Sequence, residues 1–273
     1  MPDRAQPGPE DDGLPIPEVG QWALKKHHFL RRYIYAFTTS MRGKWSRLHY
    51  IDLFASAGIV RIEGHGLGWG SPLLAATTAH PFSRLHVCER DEALCAALRE
   101  RLKRAAQPEE PQIICGDANE VVGQIVAAVP RTSLNLAFVD PHALDELDFE
   151  TLRTLATRRT DMIIFFPDLL DAIRNIEQYR GKPDSHLSRF MGTTAWERAL
   201  ENEPRENWPH VLFRVFRSQL ESPGYSQFEE ERVSRGDAKR LYKLVFCSAD
   251  PTGAKLWRNV SKKHFGGQRK LFD

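Results

Sequence analysis

The sequence contains no long apolar segment. No apolar run among its 273 residues approaches the roughly 20 residues of a membrane-spanning helix. Residues 1–19 lack an apolar core and are rich in proline, aspartate and glutamate, which argues against a secretory signal. We predict a disordered or loosely docked N-terminal arm over residues 1–19, in which 14–19 is the part able to pack on the body. The folded domain is expected to span residues 20–273.

Cysteine is scarce, and no two cysteines form a CxxC pair. All four cysteines lie in apolar, strand-like or helical runs, which predicts buried free thiols. A metal site needs ligands at closer spacing, so no metal site is expected. With no export signal, this pattern predicts a cytoplasmic protein in a reducing compartment. The cysteines are Cys88, Cys95, Cys115 and Cys247.

Net charge is also small, at +2, so the charge balance alone does not call for a nucleic-acid partner. The basic residues are nevertheless concentrated in the tail 255–273, where Trp257 and Phe265 interleave with them. This arrangement fits a phosphate-contacting surface, with Lys262 and Lys263 as candidate contacts, although a solvated helix face has the same composition.

Along the chain, segments with the hydrophobic pattern of strands alternate with segments that have the hydrophobic pattern of helices. Five apolar, strand-like runs alternate with amphipathic helical segments, which predicts a parallel sheet covered by helices on both faces. The predicted strands span 48–54, 84–91, 111–119, 133–141 and 161–168, and the predicted helices span 20–42, 70–80, 92–105, 120–129 and 149–158.

The pattern changes after residue 168. Residues 168–209 are predicted to be an insert, helical at first and irregular with one short helix over 181–209. Together with the basic tail, this insert is expected to shape the choice of substrate. A helix over 210–221 and a hairpin of strands 225–234 and 239–250 follow. The fold class predicted is α/β, a doubly wound, mostly parallel, Rossmann-like sheet of seven strands with a C-terminal antiparallel hairpin.

An acid follows each of four successive strands: Asp52, Glu89, Asp117 and Asp140. Ligands of open parallel sheets bind beyond the carboxyl ends of the strands, where the strand order reverses. We therefore expect these four carboxylates to converge on one cleft. Converging carboxylates repel one another, so a cationic or hydroxyl-rich ligand is a natural partner. S-adenosylmethionine offers a sulfonium, an ammonium, a ribose and an adenine amine.

Roles follow from position. Asp52 can hold the ammonium, directly or through water. Glu89 can hold the ribose hydroxyls and Asp117 the adenine amine, whereas Asp140 can orient a methyl acceptor. The turn YIDLFASAG is suited to close backbone approach, and the glycine-rich stretch 59–70 after it is expected to be a lid or binding loop. The other cofactor candidates are Phe54, Ala55, Ser56, Gly58, Ser71 (as a helix N-cap) and Ala118, and Pro141 and His142 join Asp140 as catalytic candidates.

The chain resembles the three-Cys-motif partner proteins (TcmP family). The similarity runs through WALKKHHFLRRY, YIDLFASAG, GSPLLA, VCERD, CGDAN, FVDPHAL and KLVFCSADPTGAKLW. The resemblance implies a class I S-adenosylmethionine-dependent methyltransferase fold and a radical-type partner protein with three cysteines. It also marks Lys26, which could hold a carboxylate or phosphate. Two departures stand out: Ser56 and Ala57 replace the glycine and proline of a DLFAGPG-like motif, and His142 replaces an aromatic residue.

Three functions remain open at this stage. The first is a methyltransferase, with a nucleic acid among the acceptors to consider. The second is a binding or scaffold partner that kept the fold and lost catalysis, which the departures at Ser56 and His142 favour. The third is a metal-dependent nuclease using Asp52, Asp140 and His142.

Overall fold

The computed structural model describes residues 8–167, 169–235 and 240–262. Its strands are β1 (Glu18–Val19), β2 (Leu48–Asp52), β3 (Ile59–Ile62), β4 (Gly66–Trp69), β5 (Arg84–Glu89), β6 (Gln112–Cys115), β7 (Leu134–Val139), β8 (Thr160–Phe166), β9 (Gln227–Arg235) and β10 (Arg240–Ser248). Its α-helices are α1 (Trp22–Met41), α2 (Ser71–Ala76), α3 (Glu92–Arg104), α4 (Ala118–Ala128), α5 (Phe149–Ala156), α6 (Leu170–Arg174), α7 (His186–Met191), α8 (Ala195–Leu200), α9 (Trp208–Glu221) and α10 (Pro251–Ser261).

Seven strands form the central sheet, in the order β6-β5-β2-β7-β8-β10-β9. The first five in this order are parallel, and β10 pairs antiparallel with both β8 and β9. This confirms the predicted doubly wound sheet with its C-terminal hairpin. The chain moves outward from β2 to β6 and then returns to β7 on the other side of β2, so the strand order reverses between β2 and β7.

Helices cover both faces of the sheet, which explains why its central strands are buried along their length. Every residue of β2 and of β8 is buried, as expected for parallel strands packed on two sides. One hydrophobic core lies beneath α1, α2, α3 and α10, and the other beneath α4, α5, α7, α8 and α9.

The insert contains two short α-helices within residues 181–209, α7 and α8, where one was predicted. It packs into the core, because Phe190 and Trp196 are fully buried. Trp257 does not join a phosphate-contacting surface: it is 1% exposed and stacks on Phe246 at 5.1 Å between ring centroids. Its helix spacing places it on the apolar face of α10, which faces the sheet. Phe265 lies outside the described residues.

The glycine-rich stretch forms a hairpin of β3 and β4, and β1 of the arm adds a third strand beside β3. The described part of the arm is docked on the body, and residues 14–19, the part predicted to pack, include β1. The guanidinium of Arg101, which is 3% exposed, donates to the Asp12 carboxylate at 2.7 and 3.1 Å and to the Pro15 carbonyl at 3.0 Å. This pairing lowers the pKa of Asp12 to about 2. Residues 1–7 lie outside the described part.

The cysteine prediction holds for two residues and fails for two. Cys88 and Cys247 are buried free thiols, whereas Cys95 and Cys115 form a disulfide bond. Cys95 lies in the second turn of α3 and Cys115 ends β6. The crossover from α3 to β6 brings two residues that are 20 apart in sequence to a Cα–Cα distance of 5.9 Å, a proximity that sequence spacing does not reveal.

Within the described residues, no helix is both long and apolar enough to cross a membrane.

Candidate active site

A cleft of about 460 Å³ opens beyond the carboxyl ends of β2, β5 and β6. It lies next to the reversal of strand order, where doubly wound sheets bind their ligands, and its volume suits a small molecule. Its walls combine carboxylates, an aromatic ring and backbone: Leu53, Phe54, Glu89, Arg90, Asp91, Glu92, Gly116, Asp117, Ala118, His142 and Glu146.

Glu89 is held rigidly at the centre of this cleft. One carboxylate oxygen accepts a hydrogen bond from the Ser56 amide at 2.7 Å, and the other accepts one from the Asp91 amide at 2.8 Å. Each oxygen retains a second lone pair. The side chain is therefore a pre-oriented double acceptor, suited to a pair of neighbouring hydroxyl groups.

Asp117 borders the cleft from the end of β6. It is the N-cap of α4, and its carboxylate accepts a hydrogen bond from the Asn119 amide at 2.8 Å. The side chain of Asn119 in turn donates to the carbonyl of Glu146 at 3.0 Å and accepts from the amide of Asp148 at 2.9 Å. These bonds fasten the opposite wall of the cleft, residues 141–148, to α4.

The turn after β2 contains a serine in an unfavourable conformation. Ser56 has φ 54° and is the only non-glycine residue with positive φ in the described ranges. Its amide must point at Glu89, and the left-handed conformation directs it there. Gly58, with φ 82°, packs against Leu73 and Leu98, each of which would lie 3.1 Å from an added Cβ. The turn that passes beneath Glu89 therefore needs a positive φ at position 56, whichever residue occupies that position.

Asp52 lies behind the cleft and does not line it, so its predicted contact with the ligand's ammonium, directly or through water, stays a prediction. It has no exposed surface, and its carboxylate accepts hydrogen bonds from the Tyr50 hydroxyl at 3.1 Å and the Phe54 amide at 3.3 Å. Burial raises its pKa to about 7, against the lowering effect of hydrogen bonds from Ser71 and Tyr50. The nearby negative charge of Asp140 raises it further.

Asp140 is also outside the lining of the cleft. Its carboxylate pairs with the ammonium of Lys26 at 2.5 Å, and the two side chains are 12% and 9% exposed. The Lys26 ammonium also lies 4.9 Å from the ring centroid of Phe165. In this structure Lys26 is paired with a carboxylate of the protein itself, and its contact with a carboxylate or phosphate of a substrate stays a prediction.

His142 is the candidate after β7 that does reach the cleft. It also lines a second cavity, of about 770 Å³, which lies between the arm, the β3–β4 hairpin and Glu89 and includes Trp22 in its wall. The His142 amide donates to the Glu146 carboxylate at 2.7 Å, and the hydrogen bond from its ring to the same carboxylate raises the pKa of the imidazole. His142 therefore stands where the two cavities meet.

The sequence-predicted residues thus divide into two groups. Phe54, Glu89, Asp117, Ala118 and His142 line one cleft, and Ser56 lines the second cavity beside it. The others form the buried support behind the cleft or lie elsewhere: Asp52, Ala55, Gly58, Ser71 and Pro141 are buried, and Lys262 is exposed at the end of α10. Lys263 lies outside the described residues.

Two further details differ from expectation. Ser71 is not an N-cap, because α2 begins at Ser71 and Gly70 caps it. Only glycine fits there, since an added Cβ would lie 3.0 Å from the Gly58 carbonyl oxygen. Glu146 was missed as a cleft residue, although its position four residues after His142 was a signal of an i,i+4 pair.

Among the described residues, the nuclease hypothesis lacks a set of side chains that could bind a metal ion. In the part of the chain that the structure describes, no three histidine, cysteine, aspartate or glutamate residues are grouped so as to hold a metal ion. Of the three proposed ligands, Asp52 is enclosed by its own hydrogen bonds and Asp140 is paired with Lys26.

Comparisons with known proteins give a fold relationship and no family. No protein-family model matches the chain, and no curated protein matches it. A crystal structure of a Legionella pneumophila protein described by the DUF519 family model has 12% sequence identity and a TM-score of 0.53, over 88% of this chain and 93% of that one. A Bacillus cereus O-methyltransferase in complex with SAH has 12% identity and a TM-score of 0.47, over 82% and 81%. The first likeness shows a shared fold, and the second is too remote to add to it.

Proposed function

We propose that the protein is an S-adenosylmethionine-dependent methyltransferase that binds the adenosyl part of this cofactor in the cleft between Glu89 and Asp117. The observation that carries this proposal is the Glu89 carboxylate, which two backbone amides hold with a free lone pair on each oxygen. A vicinal diol such as a ribose is the matching ligand, because its two hydroxyls can donate to the two oxygens at once.

The other walls suit the rest of the nucleoside. Asp117 offers a carboxylate to the exocyclic amine of adenine, and Phe54 and Leu53 supply apolar surface for its ring. The bound cofactor would supply an electrophilic methyl group. The protein then has to hold an acceptor in line with that group and exclude water.

The methyl acceptor is proposed to approach through the second cavity, because His142 and Glu89 line both that cavity and the cleft. Asp140 lies two residues before His142, and its pairing with Lys26 holds its carboxylate in position. A hydroxyl or amine donor on the acceptor is the group that this carboxylate can orient. A nucleic acid is among the proposed methyl acceptors, because Lys262 is exposed and the tail is basic in composition. Association with a radical-type protein carrying three cysteines rests on the sequence resemblance alone.

Calorimetric titration of S-adenosylmethionine into the wild type and the Asp117→Asn variant tests the cleft. Asparagine caps a helix as well as aspartate does, so the fold is kept while the charge is removed. We expect binding to be at least about tenfold weaker, the cost of losing one charged hydrogen bond. Glu120→Gln, which removes an exposed carboxylate from the first turn of the same helix, is the matched control and should bind like the wild type. Equal affinity in all three proteins would show that the assigned cleft is not the cofactor site.

A catalytically inactive binding partner is the second candidate. It is favoured by the engagement of Asp140 with Lys26 and by the absence of this carboxylate from the lining of the cleft. Such a protein would bind the cofactor and gain thermal stability from it, yet transfer no methyl group from labelled S-adenosylmethionine to RNA, DNA or protein acceptors.

A further inference from the structure

The disulfide bond joins two walls of the cleft. Cys115 is the last residue of β6 and is followed directly by Gly116 and Asp117, which line the cleft. Cys95 lies one turn beyond Glu92 on α3, and the start of this helix forms the adjacent wall. The bond therefore fixes the distance between the adenine-side loop and the N-terminal end of α3.

The surroundings of the bond favour thiol–disulfide exchange. Cys115 is exposed, whereas Cys95 is fully buried, so an attacking thiolate has access to the sulfur of Cys115. The guanidinium of Arg99, one turn further along α3, lies 3.6 Å from the Cys115 sulfur and 3.9 Å from the Cys95 sulfur. A cation at this distance stabilises the thiolates that exchange releases.

We infer that Cys95 and Cys115 are a redox-active pair, and that their reduction by a dithiol weakens cofactor binding in the cleft. This inference rests on the proposed function. One thiolate of the dithiol attacks the Cys115 sulfur, the bond between the two protein sulfurs breaks, and Cys95 leaves as a thiolate beside Arg99. The second thiol of the reagent then displaces Cys115. The products are two protein thiols and the cyclic disulfide of the reagent, so atoms and electrons balance.

Loss of the disulfide bond should make the adenine side of the cleft more mobile without removing the binding site. β6 is an edge strand of four residues that pairs with β5 alone, so little else restrains its end. Two hydrogen bonds remain after reduction: the Gly116 amide donates to the Glu89 carbonyl at 3.0 Å, and the Cys88 thiol donates to the Gly116 carbonyl at 3.1 Å. The expected change is thus a partial loss of affinity.

The test compares oxidised protein, protein reduced with dithiothreitol, and the Cys115→Ser variant, each titrated with S-adenosylmethionine. Non-reducing peptide mass spectrometry first establishes the bond. Cys115 is exposed, so serine is tolerated there and removes the bond without disturbing the core. We expect the oxidised protein to bind about fivefold more tightly than the reduced protein, a coupling of ordinary size. Cys115→Ser should bind like the reduced protein and be indifferent to dithiothreitol.

Three results would overturn the inference: no bond forms under mild oxidation, the oxidised and reduced proteins bind equally, or Cys115→Ser still responds to the dithiol. Hydrogen exchange over residues 115–119 separates this inference from the proposed function. If no form binds S-adenosylmethionine, the proposed function fails. Faster exchange of this loop on reduction would then still support the redox-active pair, and unchanged exchange would refute it.

Discussion

At the scale of single residues, Ser56 shows that the turn after β2 holds a residue with a side chain in a left-handed conformation. Its φ of 54° is retained because the Ser56 amide holds Glu89. The left-handed conformation costs a non-glycine residue about 1–2 kcal/mol. Ser56→Gly removes this strain, and the greater freedom that glycine has in the unfolded chain offsets part of the gain.

We therefore expect Ser56→Gly to raise the free energy of unfolding by about 1 kcal/mol, measured by urea denaturation. Ser46→Gly, at an exposed serine without positive φ, is the matched control and should be slightly less stable than the wild type. A Ser56→Gly protein that is no more stable than the wild type would mean that the serine side chain makes a compensating contact.

Strand-end position was enough to predict that Glu89, at the end of β5, and Asp117, two residues after β6, lie side by side in the lining of one cleft. It was not enough for Asp52. Tyr50 lies two residues earlier on the same face of β2, and its hydroxyl reaches the carboxylate. The pairing of Asp140 was also not predicted, since its partner Lys26 comes from a helix 114 residues away. Such pairings depend on where α1 crosses the sheet, which periodicity does not specify.

At the scale of elements, the arm and the β3–β4 hairpin form a separate layer beside the cleft, held by Arg101. This guanidinium also donates to the Ala57 carbonyl at 2.8 Å, so one buried side chain connects the arm to the turn after β2. The sequence pointed to a lid in residues 59–70 and to packing of residues 14–19. It did not predict that these two segments pair in one sheet, because a strand of two residues such as β1 is too short to show an alternating hydrophobic pattern.

Asp12→Asn should release the arm, since the amide leaves the buried Arg101 without its counter-ion. Hydrogen exchange of the amides in residues 12–19 is expected to become about tenfold faster, as for the loss of one charged hydrogen bond. Asp11→Asn, which alters an exposed pair with Arg61, should leave this exchange nearly unchanged. Similar rates in Asp12→Asn and the wild type would show that β1 pairing and the hydrogen bond from Arg101 to the Pro15 carbonyl are enough to hold the arm.

At the scale of the whole molecule, buried ionisable groups with opposite effects set the pH dependence of stability. Burial lowers the pKa of His49 to about 4 from 6.5, and His49 shares a hydrogen bond of 2.8 Å with His86. The unfolded chain therefore takes up this proton more readily, and stability falls as the pH drops from 6.5 toward 4. Asp52 acts in the other direction: its pKa is raised to about 7 from 3.8, so stability is lost as the pH rises through that range.

The Asp52→Asn variant isolates the second effect. The amide stays neutral at every pH, so the variant escapes the loss that ionisation of Asp52 imposes on the wild type. We expect its free energy of unfolding, relative to the wild type, to be more favourable at pH 8 than at pH 5 in urea denaturation. Asp145→Asn, at an exposed carboxylate, should show the same difference from the wild type at both pH values. A pH-independent difference for Asp52→Asn would mean that Asp52 is already ionised in the folded protein at pH 5.

The central claim is that Glu89 and Asp117 form the adenosyl site of a methyltransferase. A crystal structure of the protein grown with S-adenosylhomocysteine tests it most directly. We expect the two ribose hydroxyls to lie within hydrogen-bonding distance of the Glu89 carboxylate and the adenine amine to lie beside Asp117. Density for the ligand elsewhere, or a cleft left empty at saturating ligand, would contradict the assignment of Glu89 and Asp117 to the adenosyl site.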